Sequence, residues 1–77
     1  MYQSSRRALL KRFGESIRAT RMGMGLSQEQ LAELSGLDRT YVGGVERGER
    51  NISLVNMAKL ARALNVRLCD LLRGVDE

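Results

Sequence analysis

The chain contains no proline, and its helix-breaking residues recur at regular intervals instead. Gly25, Gly36 and Gly48 each follow a segment whose apolar residues repeat at helical spacing, the usual place of a residue just past a helix C-terminus. Asn65 can serve the same way, because asparagine tolerates the left-handed conformation. Capping residues open the segments that follow. Ser27 with Gln30 fits a capping box, and Asp38 and Ser53 can each cap the next segment. This punctuation predicts helices over about 5–23, 28–35, 39–47, 54–64 and 68–73.

Each segment carries an apolar set for one buried face. The first has Leu9, Leu10, Phe13 and Ile17, and the second has Leu31 and Leu34. The third offers Val42 and Val45. Leu54, Met57, Leu60, Ala61 and Leu64 follow on the fourth, then Leu68, Leu71 and Leu72 on the fifth. No segment alternates with period two, so an all-α fold is expected. At 77 residues the chain makes one domain, with its core over about 10–72 and a modest apolar interior.

Composition removes several function classes. The sequence has no histidine and a single cysteine. No internal disulfide can form, a zinc site is not expected, and Cys69 reads as a small buried hydrophobe. No phosphate loop and no paired catalytic carboxylates are visible, so no enzyme activity and no cofactor are expected. No apolar run reaches the roughly 18 residues of a membrane helix. Arg6, Arg7, Lys11 and Arg12 break the apolar stretches that a signal peptide would need, so a cytoplasmic location is expected. The net charge is +4 and the sequence pI about 10.0. The first 21 residues hold Arg6, Arg7, Lys11, Arg12, Arg18 and Arg21 against Glu15 alone. Such a balance suits a polyanionic partner, although a plain solvated helix face is the simpler account of the Arg6, Arg7, Lys11 and Arg12 cluster.

Residues 27–50 are the most specific stretch. Ala32, four residues after Gln28, supplies the small residue that two crossing helices need. Gly36, four further on, supplies the positive φ of a tight turn. Val42 and Val45 point inward, which leaves Arg39, Thr40 and Gly43 to face outward. The set reads as a helix-turn-helix, with an ordinary helical hairpin as the competing reading.

These residues resemble the Cro/phage-repressor-like, or XRE-like, helix-turn-helix family over about residues 10–72. The carrying motifs are Ile17-Arg18-Ala19-Thr20-Arg21, Gly25 to Ala32, Gly36 to Val42, Val45-Glu46-Arg47-Gly48 and Leu60 to Val66. Leu37 to Asn51 is similar to the controller proteins of restriction–modification systems. The resemblance implies a five-helix lambda-repressor-like domain. It also implies a sequence-specific transcriptional regulator that binds double-stranded DNA as a homodimer on a pseudo-palindromic operator. An antitoxin-like interaction module that binds DNA secondarily is the alternative. No effector domain is visible, so no small-molecule effector is expected.

The same resemblance assigns expected roles. Gln28, at a helix start, would contact a phosphate; a solvated glutamine is the plain alternative. Arg39 stands where a planar guanidinium can take guanine O6 and N7 together, with a phosphate-only contact as its alternative. Thr40 would touch a thymine methyl or a phosphate. Tyr41 would either hydrogen-bond a phosphate or pack its ring on the domain. Gly43 and Gly44 each cost a helix about 0.5–1 kcal/mol relative to alanine. The expectation is that their bareness lets the backbone sit deep in the groove, where relatives carry longer polar side chains. Arg50 and Asn51 would approach the DNA backbone or a groove edge, and Arg47 has a weaker case; a solvated loop is the alternative for both arginines. Arg21 and Glu46 are implied to form a structural ion pair between the first and third helices. Arg67 lies where a capping serine or threonine is common, which would leave the last helix start less well fixed. Leu68, Leu71 and Leu72 make an apolar end expected to form a homodimer interface.

Overall fold

A computed structural model of the chain describes residues 5–76. They form five helices: α1 (Arg6–Gly23), α2 (Gln28–Ser35), α3 (Arg39–Glu46), α4 (Leu54–Ala63) and α5 (Leu68–Leu72). Among the described residues there is no strand. The expected helix bounds hold to within a residue or so at each end. The capping chemistry explains this. The Ser5 side chain accepts from Ala8 N–H, Ser27 from Gln30, Asp38 from Thr40 and Ser53 from Asn56. Each such cap stabilises its helix by about 1 kcal/mol. Ser27 and Gln30 complete a reciprocal capping box, with Ser27 N–H donating to Gln30 Oε1 at 2.8 Å. The start of α5 is held from the other side. Asp70 accepts from the Arg67 N–H at 3.1 Å, a bond the arginine side chain, having no acceptor, cannot reciprocate.

The turn between α2 and α3 occupies three residues. Gly36 adopts φ 73° and ψ 16°, a left-handed conformation costly for any residue with a Cβ. The Leu37 N–H then bonds back to Ala32 O at 3.1 Å. Asp38 starts α3 immediately. The result is a helix-turn-helix with its two arms tied at both sides of the turn.

Phe13, Ile17, Leu31, Val42, Val45, Leu60, Leu64 and Leu71 make up most of the core, with Ala32 and Ala61 where helices approach closely. Burying each large member stabilises the fold by about 1.5–3 kcal/mol. α1 packs on α3 and α5, α2 on α3 and α4, and α4 on α5. Several expected core positions lie outside it. Leu34 is 60% exposed and Leu54 is 63% exposed. Leu34 sits at the open rim beside Lys59, Arg62 and Ala63 of α4. Leu54 is the first residue of α4. Cys69 is exposed, contrary to the expected buried thiol. With Leu68 and Leu71 turned inward, the residue next to Leu68 points away from the core. The opposite correction applies to Leu71, expected at a subunit interface. It is 1% exposed and belongs to the core of the single chain. Leu72, at 37% exposed, and the half-buried Leu68 are the members of that trio with surface to offer. Arg12, expected in a solvated basic cluster, is half-buried and donates to Val75 O at 3.2 Å, tying the C-terminal tail to α1.

α1 meets α3 at backbone distance. A Cβ on Gly14 would stand 2.3 Å from Val45 O and 2.6 Å from Glu46 O. Neither carbonyl can yield without moving α3. At Gly23, by contrast, nothing lies within 4 Å of the same position. Gly14→Ala is therefore expected to lower unfolding free energy by about 2–3 kcal/mol or prevent folding. Gly23→Ala should raise it by about 0.5–1 kcal/mol. Urea denaturation followed by circular dichroism measures both.

Candidate nucleic-acid interface

The position of α3 depends on a polar cluster at its C-terminal end. Arg21 of α1 donates through Nε to Glu46 Oε2 at 2.7 Å and through Nη2 to Glu46 Oε1 at 3.0 Å. Its remaining nitrogen, Nη1, donates to Leu26 O at 2.7 Å. Gln28 Nε2 donates to Glu46 Oε1 at 3.0 Å. One carboxylate thus gathers α1, the α1–α2 turn and the start of α2 around the end of α3. Both charged residues are buried, at 9% and 6% exposed. A carboxylate at a helix C-terminus meets the negative end of the dipole, which disfavours it. Only a bidentate guanidinium and a further donor make that placement stable. Among the described residues no buried side-chain nitrogen or oxygen lacks a partner.

Arg39 and Thr40, at the opposite end of α3, are exposed. Asp38 accepts from the Thr40 N–H at 3.1 Å, so the cap fixes the backbone from which both side chains project. The first turn of α3 is consequently rigid in its main chain and open in its side chains.

Tyr41 is half-buried and packs against the core. Its hydroxyl accepts from Asn56 Nδ2 at 3.1 Å. Of the two expected roles, ring packing is present, and the hydroxyl is bonded within the domain. The Arg50 guanidinium carbon lies 5.5 Å from the ring centroid, within the range of a cation–π contact. Asn51 is exposed beside it.

Gly43 was expected to face outward bare, and it does not. It is buried. A Cβ there would stand 3.2 Å from Arg47 Nη1 and 3.4 Å from Gln28 Oε1, so these two side chains roof it over. Gly44 is also buried, beneath Arg50. The surface that α3 lacks in its own side chains is supplied by residues from α2 and from the loop after α3. A glycine pair followed by Arg47 and Arg50 at spacings of four and six is the signal that could have shown this.

Gln28, expected to be outward, has its amide donor committed to Glu46 while its oxygen lies over Gly43. Arg47 also has a protein partner, Glu49, with Nε–Oε2 3.1 Å. The hydrogen bond to Glu49 raises the Arg47 pKa above its ordinary value, and the same bond holds the Glu49 carboxyl below its ordinary range. The pair is thus intact at neutral pH and is lost as pH falls through the lowered carboxyl pKa. Both side chains are more than half exposed, so the pair matters more for placing Arg47 than for stability. Glu49 and Asn56 are the residues of this face whose placing roles the sequence did not reveal.

A family profile described as Helix-turn-helix matches residues 17–71. The control protein C.SmaI of Serratia marcescens is 55% identical over 58 residues, covering 75% of this chain and 69% of that protein. The structure of the restriction–modification controller protein C.AhdI from Aeromonas hydrophila superposes with TM-score 0.80 at 61% identity, covering 80% of this chain and 94% of that one. The controller protein C.Esp1396I, seen as a tetramer in complex with its natural 35 base-pair operator, superposes with TM-score 0.80 at 33% identity. That match covers 87% of this chain and 88% of the controller.

The buried cluster generates a stability prediction. Glu46→Ala removes the acceptor of three hydrogen bonds and leaves the Arg21 guanidinium buried without its counter-charge. It should cost about 3–5 kcal/mol. Replacing Arg21 and Glu46 together by apolar residues should cost less than Glu46→Ala alone, because no charge is then stranded. Chemical denaturation of both variants tests the difference. A double variant less stable than Glu46→Ala would contradict it.

Proposed function

The chain belongs to the helix-turn-helix family, and we propose that it is a restriction–modification controller: a homodimeric transcriptional regulator that reads operator DNA through α3. The observation that carries this reading is the capped, exposed Arg39–Thr40 tip, standing on a helix-turn-helix frame 61% identical to a controller protein. The names of the relatives favour a regulator over an interaction module that binds DNA secondarily.

In this reading, two copies present their α3 helices about 34 Å apart, one turn of B-DNA, to a pseudo-palindromic site. Arg39 takes the O6 and N7 edge of a guanine, for which its planar fork is suited. Thr40 meets a neighbouring thymine methyl or phosphate. Arg50 and Asn51 approach the DNA backbone or a groove edge. Arg47 joins them by exchanging Glu49 for a phosphate, and the backbone N–H groups of the first turn of α2 lie close to the same strand. Arg21 and Glu46 stay inside as scaffold. Leu72 and Leu68 contribute to the dimer contact, whereas Leu71 keeps its place in the core. With few side chains on the groove face of α3, DNA shape supplies part of the specificity.

Arg39→Ala tests the base-reading assignment. Fluorescence anisotropy with DNA selected from random oligonucleotides should show a loss of about 1–3 kcal/mol in specific affinity. Thermal unfolding should be unchanged, because the Arg39 side chain is exposed and makes no hydrogen bond or ion pair among the described residues. Equal affinity and equal sequence preference in parent and variant would contradict it.

A further inference from the structure

The glycines at which an added Cβ would crowd another segment are of two kinds. A Cβ on Gly14 or Gly48 would meet backbone atoms of another segment, at 2.3 Å and 2.8 Å. Those two glycines are required by the packing of α1 against α3 and the loop that follows it. Gly44 differs. The three nearest atoms to a Cβ there all belong to the Arg50 side chain: Cγ and Nε at 3.0 Å and Cδ at 3.5 Å. Its φ is not positive. Nothing in the fold of α3 therefore calls for glycine at this position, and alanine would be the better helix former. What the bare backbone accommodates is the stem of one arginine.

The far end of that arginine is held by a second feature. Its guanidinium carbon lies 5.5 Å from the Tyr41 ring centroid. The ring is itself fixed, half-buried against the core and bonded through its hydroxyl to Asn56 at 3.1 Å. Arg50 thus lies along a groove with helix backbone on one side and an aromatic face on the other. A free arginine loses much rotamer freedom when it binds, and a side chain already laid in place loses less.

We propose that Gly44 is a positioning residue that, with Tyr41, pre-orients the Arg50 guanidinium toward acceptor atoms of DNA, either a guanine O6 and N7 edge or phosphate oxygens. This rests on the DNA-binding reading above and adds a specificity device to it. Gly44 touches no nucleotide; it acts by leaving room for the side chain that does.

The test compares Gly44→Ala, Arg50→Ala and the double variant with the parent chain. Thermal unfolding and affinity for the selected operator are measured across a salt series. Gly44→Ala should melt no lower than the parent yet bind about fivefold more weakly or worse, and Arg50→Ala about tenfold more weakly or worse. The double variant should match Arg50→Ala to within about twofold, because both changes remove one interaction. A guanine contact shows as relaxed preference at one base pair of the half-site. A phosphate contact shows as a uniform loss with the salt slope reduced by about one. Parent-like binding by Gly44→Ala, or losses that multiply in the double variant, overturns the proposal. If Gly44→Ala melts lower than the parent, the NMR order parameter of the Arg50 Nε–H in the free parent chain decides. Order close to that of the buried Arg21 side chain supports the seat, and a freely mobile Arg50 overturns it. A parent that selects no DNA overturns this proposal and the function together; a parent that binds, with variants that match it, overturns the seat alone.

Discussion

The Glu46 carboxylate is the point on which the arrangement turns. It sits where a helix end repels negative charge and where solvent is nearly excluded. Arg21 meets it side-on with two hydrogen bonds and sends a third to Leu26 O. Gln28 adds the last donor. A buried ion pair is weak evidence for stability as such, because the desolvation of two charges consumes much of their attraction. Its value here is geometric. It admits only one placement of the end of α3 relative to α1 and the start of α2, and that placement decides which residues of α3 reach the surface.

Gly14 reinforces the same placement by contact rather than charge. With the backbone of α1 against the Val45 and Glu46 carbonyls, α3 is pressed down at its C-terminal half. Its N-terminal tip stands free, fixed by the Asp38 cap. The helix is thus divided along its length. One end is a buried anchor, the other an exposed reading tip, and the middle is two glycines overlaid by Gln28, Arg47 and Arg50. This division explains how a helix of eight residues can serve as a recognition element while carrying so few outward side chains. The groove-facing surface is composite, assembled from α2, α3 and the loop beyond.

Local signals were readable wherever one residue decides the outcome. Ser27 with Gln30, Asp38, Gly36 and Asn65 act within a few residues of themselves, so the helix bounds and the tight turn followed from the sequence. The partnership of Arg21 with Glu46 was legible only by resemblance, since no spacing rule links residues so far apart. Burial was less legible because it depends on what lies opposite. Leu31 and Leu34 lie three apart on α2, yet Leu31 is fully buried whereas Leu34 stays exposed at the open rim beside α4. Leu71 was assigned to a partner with the rest of the apolar end, whereas the packing of α1 and α4 on α5 takes it into the core. Gly43 was taken to be bare because a sequence shows a missing side chain but not the neighbours that fill its space.

The central claim is that DNA meets the capped tip of α3 together with the side chains laid over its glycines. Titration of isotope-labelled chain with operator DNA, followed by amide and arginine side-chain NMR shifts, addresses it most directly. The account predicts the largest changes at Gln28, Arg39, Thr40, Tyr41 and the Arg50 side chain. The Arg21 side chain should keep its shift, because the buried pair does not open on binding. Perturbations centred on α1 or α5, with Arg39 and Arg50 unmoved, would contradict it.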